Sequence, residues 1–140
     1  MMYILDTNVL AELMKSAGAA IVLEWIDARA KPDQFTTALN RAEILYGLIV
    51  MPKGRRRNEL ILRLNEMIEY DFHGRVLPFN DRAAAHYADI YAGREALGRR
   101  IDVMDAEIAA IARANGMTVV TRNVRDFQDC GIDLINPWDT

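Results

Sequence analysis

Near its start the chain reads Tyr3-Ile4-Leu5-Asp6-Thr7-Asn8: three apolar residues of β type, then an acid and two small polar side chains. A similar transition returns late in the chain, where the run Thr118–Thr121 leads into Arg122 and Asn123. Short apolar runs of this kind are typical of buried parallel strands. Ligands of open parallel sheets bind beyond the carboxyl ends of the strands, so the polar residues after each run are the first candidates for chemistry.

Further strands and helices alternate between these two stretches. Short strands are predicted over Gln34–Thr37, Arg75–Phe79 and Asp133–Ile135. Apolar residues recur at helical spacing over Gly18–Ala30, Arg41–Val50, Leu60–Ile68, Asp81–Leu97 and Met104–Ala114. This alternation predicts an α/β fold with a mostly parallel sheet and helices on both faces.

The fourth of these helices carries small and aromatic residues at helical spacing. We expect it to turn inward a face made of Ala84, Tyr87, Ala88 and Tyr91. The last helix, over Met104–Ala114, is apolar nearly all round and is therefore predicted to be buried.

Length, composition and charge limit the class of protein. The 140 residues are 51% hydrophobic and 26% charged, which favours one globular domain over residues 1–140. The net charge of −3 excludes a uniformly basic nucleic-acid wrapper, so any contact with nucleic acid must use local patches. With Cys130 as its one cysteine, the chain has no intramolecular disulfide, which suits a reducing compartment.

Targeting signals are not evident in the sequence. The N-terminal segment reaches an acid at Asp6 without a basic region and a long apolar run, unlike a signal peptide. No stretch approaches the roughly 20 apolar residues of a membrane span. We expect a soluble, cytoplasmic protein without a membrane partner.

Acidic and amide side chains follow the predicted strands or begin the predicted helices. Because these points share one edge of a doubly wound sheet, we expect the side chains to converge. They are Asp6, Glu43, Asp102, Asp105, Asn123 and Asp126. Carboxylates without clustered His or Cys are typical ligands of magnesium or manganese, and such an ion suits phosphoryl chemistry. The two histidines, His73 and His86, are not at the ligand spacing of a zinc site.

Helix capping is an alternative role for several of these residues. Asn40-x-x-Glu43 has the form of a capping box, with Asn40 as the cap of the helix that follows it. Asp102-x-x-Asp105 has the same form, and a structural role as N-cap is favoured for Asp102. Asp105 is different, because it enters an otherwise apolar helix, where a buried acid is costly without a partner.

Two further residues of the constellation also have structural alternatives. Asn8 could cap a helix that begins at Val9. Asp126 could cap a turn or pair with Arg122 or Arg125.

Four segments, taken in order, carry a family resemblance. They are Ile4-Leu5-Asp6-Thr7-Asn8, Leu39-Asn40-Arg41-Ala42-Glu43-Ile44-Leu45-Tyr46-Gly47, Asp105-Ala106-Glu107-Ile108-Ala109-Ala110 and Val120-Thr121-Arg122-Asn123-Val124-Arg125-Asp126-Phe127. Together they span almost the whole chain, and they resemble the PIN-domain family, most closely its bacterial VapC/FitB-type toxins.

The resemblance implies a fold, an activity and partners. The fold is a three-layer α/β/α sandwich, and the protein is usually a homodimer. The activity is that of a magnesium-dependent endoribonuclease, with manganese as a possible substitute, acting as the toxin of a toxin–antitoxin pair. The partners are the RNA substrate and a small antitoxin protein that covers the active site.

The resemblance also assigns roles to residues. Asp6, Glu43 and Asp105 match the three acidic metal ligands of the family. Asn123 is uncharged, so Asp126 must supply any fourth charge. The small polar positions around the metal are matched by Thr7, Asn8 and Thr121.

Two other functions stay open at this point. In a phosphoaspartyl phosphatase or a receiver-like domain, Asp6 would be the nucleophile, although such phosphatases usually carry a second Asp where Asn8 stands. A PIN-like domain that has lost catalysis would serve as a binding module, which the retention of all three acids disfavours.

Local basic residues suit a polyanionic substrate. A basic loop between helices is expected at Lys53, Arg55, Arg56 and Arg57, and it is either a phosphate-binding surface or simply solvated. Other arginines lie next to the proposed site in sequence: Arg41, Arg99, Arg100, Arg122 and Arg125.

Overall fold

The computed structural model describes residues 1–139 and contains one five-stranded sheet. Its strands are β1 (Tyr3–Leu5), β2 (Gln34–Thr37), β3 (Val76–Leu77), β4 (Thr118–Val120) and β5 (Leu134–Ile135). The order across the sheet is β3-β2-β1-β4-β5, and every pairing is parallel. The chain builds outward from β1 to β3 and then returns to the other side of β1. The topological switch point, where such sheets bind ligands, therefore lies beyond the carboxyl ends of β1 and β4.

Six α-helices connect these strands within the described residues. They are α1 (Thr7–Met14), α2 (Ala20–Asp27), α3 (Ala38–Ile49), α4 (Arg55–Glu66), α5 (Asp81–Ala96) and α6 (Val103–Asn115). A π-helical turn over Met67–Asp71 continues α4, and short 3₁₀ turns follow β4 and β5. None of these helices is long and apolar enough to cross a membrane.

Two hydrophobic cores lie on opposite faces of the sheet. Alternate strand residues point to opposite faces, so Ile4 and Val119 contribute to one core and Leu5 and Val120 to the other. Helices α5 and α6 cover the first face, and α1 to α4 cover the second. The α/β prediction is confirmed, and the architecture is a three-layer α/β/α sandwich.

The predicted inner face of α5 is wrong in part. Ala84 and Ala88 are exposed, whereas Ala83 and Ile90 are buried against α6. Ile90 is the one branched aliphatic residue of this helix, so its burial sets the rotation of the helix, and the helical period then carries Ala83 inward. The same rotation buries Arg94 near the end of α5.

Helix starts also differ from the expectations. Helix α3 begins at Ala38, because the Thr37 hydroxyl accepts a hydrogen bond from the Asn40 backbone N–H. Thr37 is thus the cap, and the prediction of Asn40 as the cap of a box with Glu43 is wrong. Helix α1 begins at Thr7, so Asn8 lies inside it and does not cap it.

The expected basic loop is largely helical. Arg55, Arg56 and Arg57 form the first turn of α4, and only Lys53 stays in the loop before it. Arg55 and Arg56 are exposed, whereas Arg57 is half-buried.

Candidate functional site

The carboxyl ends of β1, β2 and β4 meet the starts of α1 and α3, and Asp6 lies at their centre. This acid follows β1 directly and is only 6% exposed. Its Oδ1 accepts a hydrogen bond from Asn40 Nδ2 at 2.8 Å, and its Oδ2 accepts one from the Thr121 hydroxyl at 2.7 Å. Both oxygens of the buried carboxylate are therefore held by donors from other elements, which satisfies them and fixes the orientation of the side chain.

Thr121 links the loop after β4 to the start of α1. Its hydroxyl is fully buried, donates to Asp6, and accepts hydrogen bonds from the Asn123 backbone N–H and from Asn8 Nδ2. Asn8 also accepts the backbone N–H of Arg122 through its Oδ1 at 3.1 Å. The small polar residues predicted around the site are thus brought together, and Asn8 connects two chain segments.

Asn40 is a residue of this network whose role sequence reasoning missed. It is fully buried at the start of α3, and its amide donates to Thr7 Oγ1 as well as to Asp6. Its Oδ1 accepts the Thr37 hydroxyl at 2.6 Å. An Asn three residues after a Thr that ends a strand is the signal that could have identified it, because the Thr then takes the capping role.

Asp105 lies in the first turn of α6 and is half-buried, and the region between it and Asp6 is named the crevice. Its pKa is raised to about 7, first by burial and then by the negative charges of Asp6, Asp102, Asp126 and Glu43, in that order. Coulomb effects of this kind fall off with distance and screening, so the four acids share one region with Asp105.

The other acids of the group are more open to solvent. Glu43, Asp102 and Asp126 are all exposed. Asp102 holds the N-cap position of α6, but its side chain makes no cap hydrogen bond, so the predicted capping box with Asp105 is wrong. Among residues 1–139, no ion pair joins Asp126 to Arg122 or Arg125.

The donor chemistry of the crevice suits a hard cation, although the side chains do not form a ready-made cage. Within the described part of the chain, no three Asp, Glu, His or Cys side chains are grouped closely enough to enclose a metal. Magnesium commonly keeps several waters and uses one or two carboxylates together with substrate phosphates.

The predicted basic residues are distributed over several surfaces. Arg41, Arg122 and Arg125 are exposed on the segments that frame the crevice. The guanidinium of Arg122 lies over the ring of Trp138, 4.9 Å from its centroid. Arg99 pairs with Asp129 at 2.7 Å. The first turn of α4 follows the far end of α3, which lies about 14 Å from Asn40 along the helix axis.

Comparison with known proteins gives a consistent result. The family model described as PIN domain matches residues 3–131. The chain is 41% identical over 138 residues to "VapC ribonuclease Y4jK" of Sinorhizobium fredii (strain NBRC 101917 / NGR234), covering 99% of each protein. It is 34% identical to "Toxin FitB" of Neisseria gonorrhoeae over 98% of this chain and 99% of that one. The crystal structure of FitAcB from Neisseria gonorrhoeae superposes with a TM-score of 0.92 at 34% identity, covering 99% of this chain and 100% of that chain.

Proposed function

The chain belongs to the PIN-domain family, and from this premise we propose that it is a magnesium-dependent endoribonuclease, the toxin of a VapC/FitB-type toxin–antitoxin pair. The premise rests on a family match that covers most of the chain. The names of its relatives, a ribonuclease and a toxin, support the activity and the role.

The observation that carries the proposal is the group of acids around Asp105. One carboxyl with a pKa near 7, next to four other acids, is poised to exchange its proton for a cation. Four acids would hold the ion: Asp6, Glu43, Asp105 and Asp126. Asn123 carries no charge and would be a supporting side chain. When bound, magnesium or manganese neutralises a phosphate oxygen and lowers the pKa of a bound water.

The residues of the chain itself account for orientation and substrate approach. Asn40 and Thr121 hold the Asp6 carboxylate in one orientation, and Thr7 and Asn8 complete that polar frame. Arg41 and Arg122 border the crevice and are exposed, so they are available to phosphates of an RNA strand. The hydrogen bonds on both oxygens of Asp6 favour a ligand role over that of a phosphoaspartyl nucleophile.

The proposal includes partners and a location. An antitoxin needs apolar surface to cover, and Tyr46, Ile49 and Val50 at the end of α3 and Leu62 in α4 are exposed. A homodimer in the cytoplasm completes the proposal, and sedimentation of the purified protein would test the dimer.

Purified, antitoxin-free protein incubated with single-stranded RNA tests the function. We expect cleavage in Mg²⁺ or Mn²⁺ and none in EDTA. Asp6→Asn and Asp105→Asn should each abolish cleavage, because each removes a charge that the cation requires. Asp102→Asn should stay close to wild type, since Asp102 is exposed and is not a proposed ligand.

Asp133→Asn is the matched control for these variants. This exposed acid comes just before β5, at the opposite edge of the sheet from Asp6. Equal cleavage in EDTA, or loss of activity in the Asp133 variant alone, would contradict the mechanism. A phosphate trapped on Asp6 would support the phosphoaspartyl alternative instead.

A further inference from the structure

Arg94 is a buried cation for which the mechanism above has no use. It lies near the end of α5, is only 5% exposed, and forms no ion pair among the described residues. An unpaired buried charge is expensive, so its donors must be satisfied by other groups.

The guanidinium is satisfied by backbone carbonyls of two separate loops. Its Nε donates to the carbonyl of Arg99 at 2.7 Å, and its Nη2 donates to that of Arg100 at 3.3 Å. Its Nη1 donates to the carbonyls of Asp126 at 3.0 Å and Gln128 at 2.8 Å. The Nε and Nη2 atoms thus bind the loop at residues 99–100, and Nη1 binds the loop at residues 126–128.

The two loops carry acids of the candidate site. The first loop runs directly into Asp102 and the start of α6, one turn before Asp105. The second loop contains Asp126 itself, at the end of the 3₁₀ turn after β4. The separation of the two loops therefore sets how far Asp126 lies from the start of α6.

We propose that Arg94 is a positioning residue: by joining the loop at residues 99–100 to the loop at 126–128, it sets the distance between Asp126 and the start of α6. This inference rests on the proposed function, because the spacing of the acids matters for catalysis only if they bind the metal ion. The carboxylates of residues 1–139 do not form a closed cage. The distances between them must therefore be set by the positions of the backbone segments that carry them.

Only an arginine can make this connection. Its planar fork presents five donors in fixed directions, and four of them are directed at carbonyls that lie on two sides. Lysine keeps the charge but has one nitrogen with three donors, so it cannot reach both loops in the same way.

A second, exposed tie joins the same loops. Arg99 donates from Nη1 to Asp129 at 2.7 Å and from Nη2 to Gln128 Oε1 at 3.0 Å. The side chains of this tie are about half exposed, so it should contribute much less than the buried one.

The full chain with Arg94→Lys tests the inference against a matched arginine. Arg75 also donates to backbone carbonyls, those of Lys31, Gln34 and Asp71, but it comes just before β3 at the opposite edge of the sheet. We expect Arg94→Lys to raise the Mg²⁺ concentration for half-maximal RNA cleavage about tenfold or more. Arg75→Lys should leave that concentration unchanged, whatever its effect on the melting temperature.

Hydrogen exchange of the metal-free protein gives a readout that does not depend on cleavage. Amides of residues 99–102 and 124–128 should exchange faster together in Arg94→Lys and at the wild-type rate in Arg75→Lys. If Arg94→Lys does not fold, Arg99→Ala replaces it, with an expected rise of about threefold in the same Mg²⁺ concentration.

The outcomes separate this inference from the proposed function. A folded Arg94→Lys protein with the wild-type Mg²⁺ dependence overturns the positioning role. If Arg94→Lys does not fold, an Arg99→Ala protein with the wild-type Mg²⁺ dependence overturns it instead. Wild-type protein that cleaves RNA equally in EDTA overturns the proposed function instead.

Discussion

Asp6 and Asp105 are acids of one crevice with opposite surroundings. Asp6 is buried but accepts hydrogen bonds on both oxygens, from Asn40 and Thr121. Asp105 takes part in none of the side-chain hydrogen bonds found within residues 1–139, and its pKa rises to about 7 through burial and neighbouring negative charge. The hydrogen bonds of the fold therefore orient Asp6, whereas Asp105 has no such partner among these residues.

Replacing Asn40 by Ala should reduce RNA cleavage by about 10- to 100-fold, because Asp6 loses the donor that orients it. The variant should also be less stable by about 1–3 kcal/mol, since buried partners on Asp6 and Thr37 are left unpaired. Single-turnover cleavage and a urea titration measure the two effects.

Asn115→Ala is the control for that variant. Its amide donates to the carbonyl of Ile111 at 2.8 Å, at the far end of α6. This change should cost stability but not activity. If both variants lose activity to the same degree, Asn40 has no special effect on Asp6.

Asp105 also gives stability a pH dependence with a definite sign. Its folded pKa, about 7, lies above the unfolded value near 3.8, so the folded state binds the extra proton. Ionised Asp105 thus destabilises the metal-free fold by an amount that is absent below about pH 4, grows with pH and is complete above about pH 7.

In EDTA at pH 8, Asp105→Asn should therefore be more stable than wild type, by about 1 kcal/mol once solvent screening of the half-buried group is considered. At pH 5 the difference in stability between Asp105→Asn and wild type should be smaller, because Asp105 is then largely protonated in the folded wild-type protein. Thermal melts of both proteins at both pH values measure this, with Asp133→Asn as a control expected to show no such gap. A lower melting temperature for Asp105→Asn at pH 8 would mean that Asp105 makes a needed structural contact.

At the scale of elements, the first turn of α4 is unusual because it carries three arginines. Positive charge at a helix N-terminus opposes the helix dipole, so these residues are not there to stabilise the helix. Arg55 lies 3.9 Å from Glu59 in a weak, exposed pair, and Arg57 turns partly inward. Arg55 and Arg56 are the exposed arginines of this turn, and we expect these two to contact RNA phosphates.

Replacing Arg55 and Arg56 together by Ala should weaken RNA binding and reduce its salt dependence. Each lost phosphate contact should change the slope of the logarithm of the binding constant against the logarithm of the salt concentration by roughly 0.7 for single-stranded RNA. Lys31→Ala, an exposed charge just before β2 at the opposite edge of the sheet, should leave the slope unchanged. Binding measured across a salt series decides the matter, and an unaltered slope in the double variant would show that this turn is only solvated.

At the scale of the whole molecule, the proposed metal site predicts a link between cation binding and folding. A cation that binds only the folded crevice stabilises the protein by mass action, about 2.7 kcal/mol at one hundred times its dissociation constant. Since Asp105 must lose its proton, the apparent affinity for Mg²⁺ should rise as the pH increases from 6 to 8.

The expected result is an increase in melting temperature when Mg²⁺ replaces EDTA, larger at pH 8 than at pH 6. Asp6→Asn should lose most of this increase, while Asp133→Asn should retain it. An equal increase in wild type and Asp6→Asn would show that magnesium stabilises the protein somewhere else.

Local pattern alone determined much of this protein. Apolar runs of three or four residues, each followed by a polar residue, predict buried parallel strands, because only those bury both faces of a strand. That inference was correct for Tyr3–Leu5 and for Thr118–Val120, and it led to Asp6 and to the polar residues that follow Val120. The family resemblance was readable because its motifs lie at these strand ends, where the chain's chemistry is concentrated.

Tertiary structure decided what the side chains do once they meet. Asn40 has the local signature of a cap, yet Thr37 takes that role and frees the Asn40 amide to reach Asp6, 34 residues earlier in the chain. Arg94 gives no sign in the sequence of being buried, because the carbonyls that solvate it come from loops that approach it only in the folded chain. Capping and helix period depend on neighbours in sequence and can be read from it, whereas donors and charges brought together by the sheet depend on distances that only folding sets.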